Sequence, residues 1–240
     1  MKRWGFFCIF LSLAAQAAFE AIDCGQNESI FQNPTAILKP AIQTLHVQAF
    51  GILPYTILSY THPTHIGCGI SSFGNNLYRE NEIMLGYGWI KNNIGFAVSI
   101  RGMFLSIKGY GSDYTLGLDF GTEVKINSST SFNLIFQNLN LPSISGDEIP
   151  KRVAGGFILT PNHSFKIVAS LYKESWHPFE VRISGECKLS SLLSLGLGIK
   201  TYPESFSFGI LLNPNKVGLS YFVRTHPVLG LTHIVGIKYV

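Results

Sequence analysis

The stretch YTLGLDFGTEVKI, Tyr114 to Ile126, alternates without a break. Tyr114, Leu116, Leu118, Phe120, Thr122, Val124 and Ile126 carry bulk, and Thr115, Gly117, Asp119, Gly121, Glu123 and Lys125 stand between them. Side chains on a β-strand point to opposite faces in turn, so this is a strand with one greasy face and one small or charged face. A soluble sandwich turns the greasy face into its core. A membrane barrel turns it outward to lipid and keeps the polar face in its lumen.

From Gln43 onward the same alternation recurs, best in Phe179–Leu189, Leu193–Ile199, Val217–Val223 and Leu229–Tyr239. In the first of these, Phe179, Val181, Ile183, Gly185 and Cys187 share one face, and Glu180, Arg182, Ser184, Glu186 and Lys188 the other. Turn residues break the runs at Gly74-Asn75-Asn76, Asn92-Asn93, Asn127-Ser128-Ser129, Pro161-Asn162 and Asn213-Pro214-Asn215, as short hairpin connections require. No helical period interrupts them. About fourteen strands follow, of about ten residues each, which is the length a tilted strand needs to cross a bilayer. The longest connection predicted is Leu141 to Lys151.

Composition decides between the two faces. Charged residues are 13% of the chain, about half the roughly 25% of soluble domains, yet no later stretch is apolar for long enough to span as a helix. A chain greasy on average but never for long at a time fits strands in lipid. Its start agrees: Lys2 and Arg3, an apolar run from Trp4 to Leu13, then Ala15-Gln16-Ala17 have the form of a secretory signal peptide. The expected organisation is a signal peptide over 1–18, an N-terminal plug segment over 19–42 and an antiparallel transmembrane β-barrel over 43–240. A soluble periplasmic β-sandwich that carries lipid would show the same alternation and is the alternative fold.

Function is less legible. The net charge of +4 is dispersed, so nucleic acid is not an expected partner. Cys24, Cys68 and Cys187 have no repeating spacing and predict no disulfide framework. His62 and His65 flank a proline turn and make at most half a metal site, so neither a metal nor any other cofactor is expected. No nucleophile elbow, phosphate loop or dinucleotide fingerprint occurs, and no enzyme activity is predicted. Asp119, Glu123, Lys125, Glu180, Arg182, Glu186 and Lys188 are instead expected to line the lumen, as neutralising pairs on shared strand faces. Trp89, Trp176, Tyr114, Tyr221 and Tyr239 are expected near strand ends, where aromatic belts meet lipid headgroups.

Three stretches carry a family resemblance. IFQNPTAIL, Ile30 to Leu38, resembles the Asn-Pro-Ala-rich segment before the first strand of outer-membrane barrels of the FadL and PorV/PorQ type. FNLIFQNLNLPSISGDEIPKRVAGGF, Phe132 to Phe157, is similar to that family's strand ending in Asn-Leu, its loop and the next strand. YFVRTHPVLGLTHIVGIKYV, Tyr221 to Val240, resembles its closing hairpin. The resemblance implies a bacterial outer-membrane barrel of fourteen strands with the N-terminal segment folded into the lumen as a plug. Phe31, Asn33, Pro34 and Leu38 are the expected plug residues within it, apolar, hydrogen-bonding or helix-limiting. The resemblance implies outer-membrane lipid as surroundings and either of two roles. One is passage of a small hydrophobic or amphipathic solute; the other is a non-conducting scaffold or shuttle that docks an envelope or secretion partner protein.

Overall fold

The computed structural model describes residues 29–240; the expected signal peptide and Cys24 lie outside them. Sixteen strands follow a short 3-10 helix, Pro34–Leu38. They are β1 (Ala41–Ala49), β2 (Leu53–Thr61), β3 (Ile66–Gly74), β4 (Tyr78–Lys91), β5 (Ile94–Ile107), β6 (Gly111–Lys125), β7 (Thr130–Gln137) and β8 (Ser143–Ile144). After these come β9 (Asp147–Glu148), β10 (Arg152–Asn162), β11 (Phe165–Glu174), β12 (Glu180–Lys188), β13 (Leu193–Thr201), β14 (Glu204–Leu212), β15 (Val217–His226) and β16 (Gly230–Tyr239).

Fourteen of them form one closed antiparallel barrel, and β8 and β9 make a separate small hairpin in the loop between β7 and β10. Closure comes from β1, which pairs with β2 on one side and with β16 on the other, Ile42 opposite Tyr239 and Gln48 opposite His233. Every wall strand therefore has two neighbours and the sheet has no free edge, which is what a strand protein in lipid requires. The start of β1, the end of β16 and the tight turns at 62–65, 92–93 and 163–164 share one end of the barrel. The long loop 138–151 lies at the other, far end.

The faces are inverted relative to a soluble sheet. Leu118 is 44% exposed while Asp119 beside it is 3% exposed, and along β6 Gly117, Asp119, Gly121 and Glu123 are buried while Leu116 and Leu118 are open. Leu85, Ile100, Ile183, Leu197, Phe208 and Val235 are likewise exposed on the outer wall. With a closed barrel and its greasy face outside, the soluble sandwich is overturned as the fold: it would have buried those residues between two sheets. The fold is that of a transmembrane β-barrel.

Two boundaries differ from expectation. The barrel begins at Ala41 rather than Gln43, because Thr61 Oγ1 accepts from Ala41 N and draws the incoming chain onto the wall. The long connection starts at Asn138, not Leu141. Leu139 N donates to Leu118 O, and Asn140 hydrogen-bonds both the N–H of Leu118 and the carbonyl of Leu116. Those contacts cap the upper edge of β6 where β7 has ended.

Candidate functional site: a plugged lumen

The segment from Ser29 to Lys39 lies inside the barrel. Ser29 and Asn33 start its two turns: the Ser29 hydroxyl accepts from Phe31 N, and Asn33 Oδ1 accepts from both N and Oγ1 of Thr35. Pro34 follows as the first helical residue, where its missing N–H costs nothing. These local bonds let a proline-punctuated segment satisfy its own backbone, and only four helical residues follow. Ile30, Phe31, Ile37 and Leu38 are all at most 8% exposed.

The plug fits because the wall facing it lacks side chains. A Cβ added at Gly67 or Gly86 would stand 2.8 Å or 2.4 Å from Ile37, and one at Gly88 or Gly95 would stand 2.6 Å or 2.4 Å from Leu38. Gly69 lies under Phe31 and Gly121 under Thr35 in the same way. These six glycines, on β3 to β6, form a cradle whose depth equals the missing side chains. Of the six, the sequence pattern singles out only Gly121, on the small face of its strand; the alignment of all six across four strands exists only after the strands pair. Gln137 completes the seat by donating from Nε2 to Phe31 O at 2.8 Å.

Around the plug the lumen is divided. On the side of β1–β4 and β14–β16 its wall is apolar: Leu45, Val47, Tyr55, Ile57, Phe73, Met84, Leu211, Phe222 and Ile234 pack with Ile30, Phe31 and Ile37 into one cluster. The polar inner face expected of a membrane barrel gives way there to apolar residues, because the plug supplies an apolar partner for that wall. Opposite lie the charges. Arg101, 1% exposed, bonds Asp119 at 3.0 Å and Asn138 Oδ1 at 3.1 Å and reaches Glu82 at 3.5 Å. Asp119 also accepts from Asn138 N. Glu180 pairs with Arg182 and with Lys200, Arg182 stacks over the Tyr172 ring, and Arg152 binds Glu174 at 2.8 Å.

The sequence-predicted lumen residues are thus placed as follows. Asp119, Glu123 and Glu180 are buried and inward-facing, and Arg182 and Glu186 are half-buried on the same face of β12. Lys125 and Lys188 are corrected: both sit exposed at the last residue of their strands, on the rim rather than in the lumen. Of the neutralising pairs expected on shared strand faces, Glu180 with Arg182 forms on β12, whereas Asp119 is met by Arg101 from β5 and Glu123 by Lys39 of the plug at 3.3 Å. Residues on adjacent strands come within reach of one another directly or diagonally, which gives Asp119 to Arg101. Arg101, Glu82, Arg152, Glu174 and Lys200 were not singled out; each lies at an inward position of an alternating run, and that parity was the available signal. Phe31, Asn33, Pro34 and Leu38 all lie in the plug and are buried.

Among the described residues a space lies on each side of the plug. At the terminal end a cavity of about 260 Å³ is lined by Lys39, Lys166, Lys216 and Lys238, with Ile30 and Leu211 among its apolar residues. At the far end a smaller one of about 50 Å³ lies between Gln32 of the plug and Arg152, Tyr172, Glu174, Glu180 and Arg182. Both run along β10 and β11, and the inward residues between them, Gly156, Val168 and Ser170, are small or medium and only half-buried.

No protein-family model matches the chain, and no curated protein matches it. Solved structures do. The Pseudomonas putida toluene transporter TodX is similar at 10% identity and TM-score 0.60, over 92% of this chain and 96% of that one. Omp33 of Acinetobacter baumannii, an outer-membrane protein, is similar at 7% identity and TM-score 0.54, over 83% and 96%. The KdgM porin in complex with disordered oligogalacturonate is similar at 10% identity and TM-score 0.51, over 83% and 98%. At such identities the likeness is one of fold.

Proposed function

We propose that the protein is a channel of the bacterial outer membrane that passes small hydrophobic or amphipathic solutes, with Ser29–Lys39 as its gate. The observation that carries this reading is the seated plug with a cavity on each side of it along β10 and β11. A lumen built as a structural core would be filled throughout. Here the plug occupies a fitted seat on β3–β6 and leaves the opposite side lined by half-exposed small residues. Mixed apolar and polar linings, such as Ile30 and Leu211 beside Lys166 and Ser220, suit a solute with one greasy and one polar part.

An N-terminal segment inside a fourteen-stranded wall supports placing the chain with barrels of the FadL and PorV/PorQ type, and the fold likeness to the toluene transporter TodX supports transport of the hydrophobic kind. Short turns at the end where β1 starts and β16 finishes, and the longest loop on the other, fit an orientation with the former end in the periplasm. The test is deletion of Gln26 to Leu38. A folded, inserted barrel should then show higher single-channel conductance in planar bilayers than the intact protein. A deletion barrel that inserts normally and conducts no better would remove the gate and make the scaffold role the better reading.

A further inference from the structure

The outer wall is not uniformly apolar. On β12, β13 and β14 the outward residues from Val181 to Leu212 are apolar, glycine or cysteine, with Thr201 and Glu204 only at the far turn. At the seam where the barrel closes this changes. Thr44, His46 and Gln48 on β1, Thr56 on β2, Ser72 on β3 and His233 on β16 all point outward.

His46 lies at membrane depth. A strand tilted by about 40° rises roughly 2.5 Å per residue. His46, five residues above Ala41, is therefore about 13 Å above that end of β1 and about 8 Å below the other, within an apolar band about 25 Å tall. Tyr221, expected in an aromatic belt, also lies mid-strand; its hydroxyl meets His233 Nδ1 at 2.9 Å. His46 Nδ1 meets Thr56 Oγ1 at 3.0 Å. These bonds within the wall engage Nδ1 of each imidazole, so any further bond falls to Nε2. A polar group facing hydrocarbon without a partner is costly.

We propose that this face, β16–β1–β2–β3, binds a second copy of the chain within the membrane about a two-fold axis along the bilayer normal. The groups are suited to self-pairing: every one is uncharged, and histidine, glutamine, serine and threonine each donate and accept. Geometry agrees. Paired rows climb the wall from β16 toward β4, since the row Tyr239, Ile42, Tyr60, Cys68, Leu85 starts at the last residue of β16 and ends six residues inside β4. The climb is about 3 Å per strand at that tilt. His233, opposite Gln48, and Thr56, opposite His46, then stand at heights within about 1 Å of each other, on either side of β1. A two-fold axis in front of β1 sets His233 of one copy against Thr56 of the other and His46 against its own counterpart.

Disulfide trapping in native membranes tests this, in a background with every native cysteine replaced by serine. His46→Cys alone, and Thr56→Cys combined with His233→Cys, should each give a covalent dimer of twice the monomer mass. Within one chain positions 56 and 233 are two strands apart, about 12 Å, too far for a disulfide. Ile183→Cys, outward on β12, should give none. Gel mobility of unheated samples verifies that each barrel is folded. Energy transfer between two differently labelled pools of the otherwise unaltered chain in liposomes gives the same reading without these substitutions, and should fall at least tenfold in the His46→Leu, His233→Leu double variant. No trapped dimer, trapping as strong at Ile183→Cys, or adducts of another mass only, which would mean a different partner protein, each overturns the proposal.

Discussion

If the glycine cradle holds the gate shut, filling it at one point should open the channel. Gly88→Val is the sharpest case. Its Cβ would lie 2.6 Å from Leu38 Cδ2, inside the closest approach of two carbons, and the opposing strand backbone cannot retreat without breaking the wall ladder. Leu38, 8% exposed when seated, must leave. Burying a leucine is worth about 1.5–3 kcal/mol, so the seated state should lose roughly ten- to a hundredfold in population against the unseated one. The readout is open probability and mean conductance in planar bilayers. Two controls isolate the cause. Gly185→Val adds the same side chain on the outer wall, where a Cβ meets nothing within 4 Å, and should leave conductance unchanged. Leu38→Ala in the Gly88→Val background makes room for the valine and should recover much of the closed state, a non-additive pair as expected for groups in contact. Unchanged conductance in Gly88→Val, an equal rise in Gly185→Val, or failure of Leu38→Ala to recover closure would refute the cradle as the element that holds the gate.

Further expectations concern the wall and its charges. Leu118→Arg, facing lipid, should cost about 2–4 kcal/mol in urea-titrated membrane refolding, against under about 0.5 kcal/mol for the lumen-facing Ser170→Ala. Arg101→Met should cost about 3–5 kcal/mol by leaving Asp119 and Glu82 buried without their cation. The Arg101→Met, Asp119→Leu pair should cost less than the sum of its parts in the same titration, and full additivity would refute the coupling. The four lysines at the terminal cavity should give a preference for anions. Lys216→Glu should move the reversal potential under a salt gradient toward cation selectivity, and no shift would mean that ions pass elsewhere.

Some of this protein could be read from the order of its residues. Period-two alternation is a local property, so YTLGLDFGTEVKI declares both a strand and the parity of its faces, and low charge with a greasy average decides which face meets lipid. The number of wall strands follows from counting such runs between turn signals. Asp119, Glu123, Glu180, Arg182 and Glu186 were identifiable as inward-facing by the same parity, and the plug by its proline-broken, half-apolar composition ahead of the first strand. Parity does not tell how far a strand reaches past its turn, which is why Lys125 and Lys188 were assigned to the lumen and lie on the rim. Nor does it tell what stands across the gap between strands. Cradle, ion pairs and seam depend on register, and register is set by how β1 through β16 pair around a closed wall. Gly67, Gly86, Gly95 and Gly121 are separated by up to 54 residues in the chain and become one concave seat only when four strands align. Arg101 finds Asp119, and His233 finds Gln48, by the same route. Local alternation determined the element and its two faces; only the closed sheet, which converts distance along the chain into adjacency across strands, decided which residues meet.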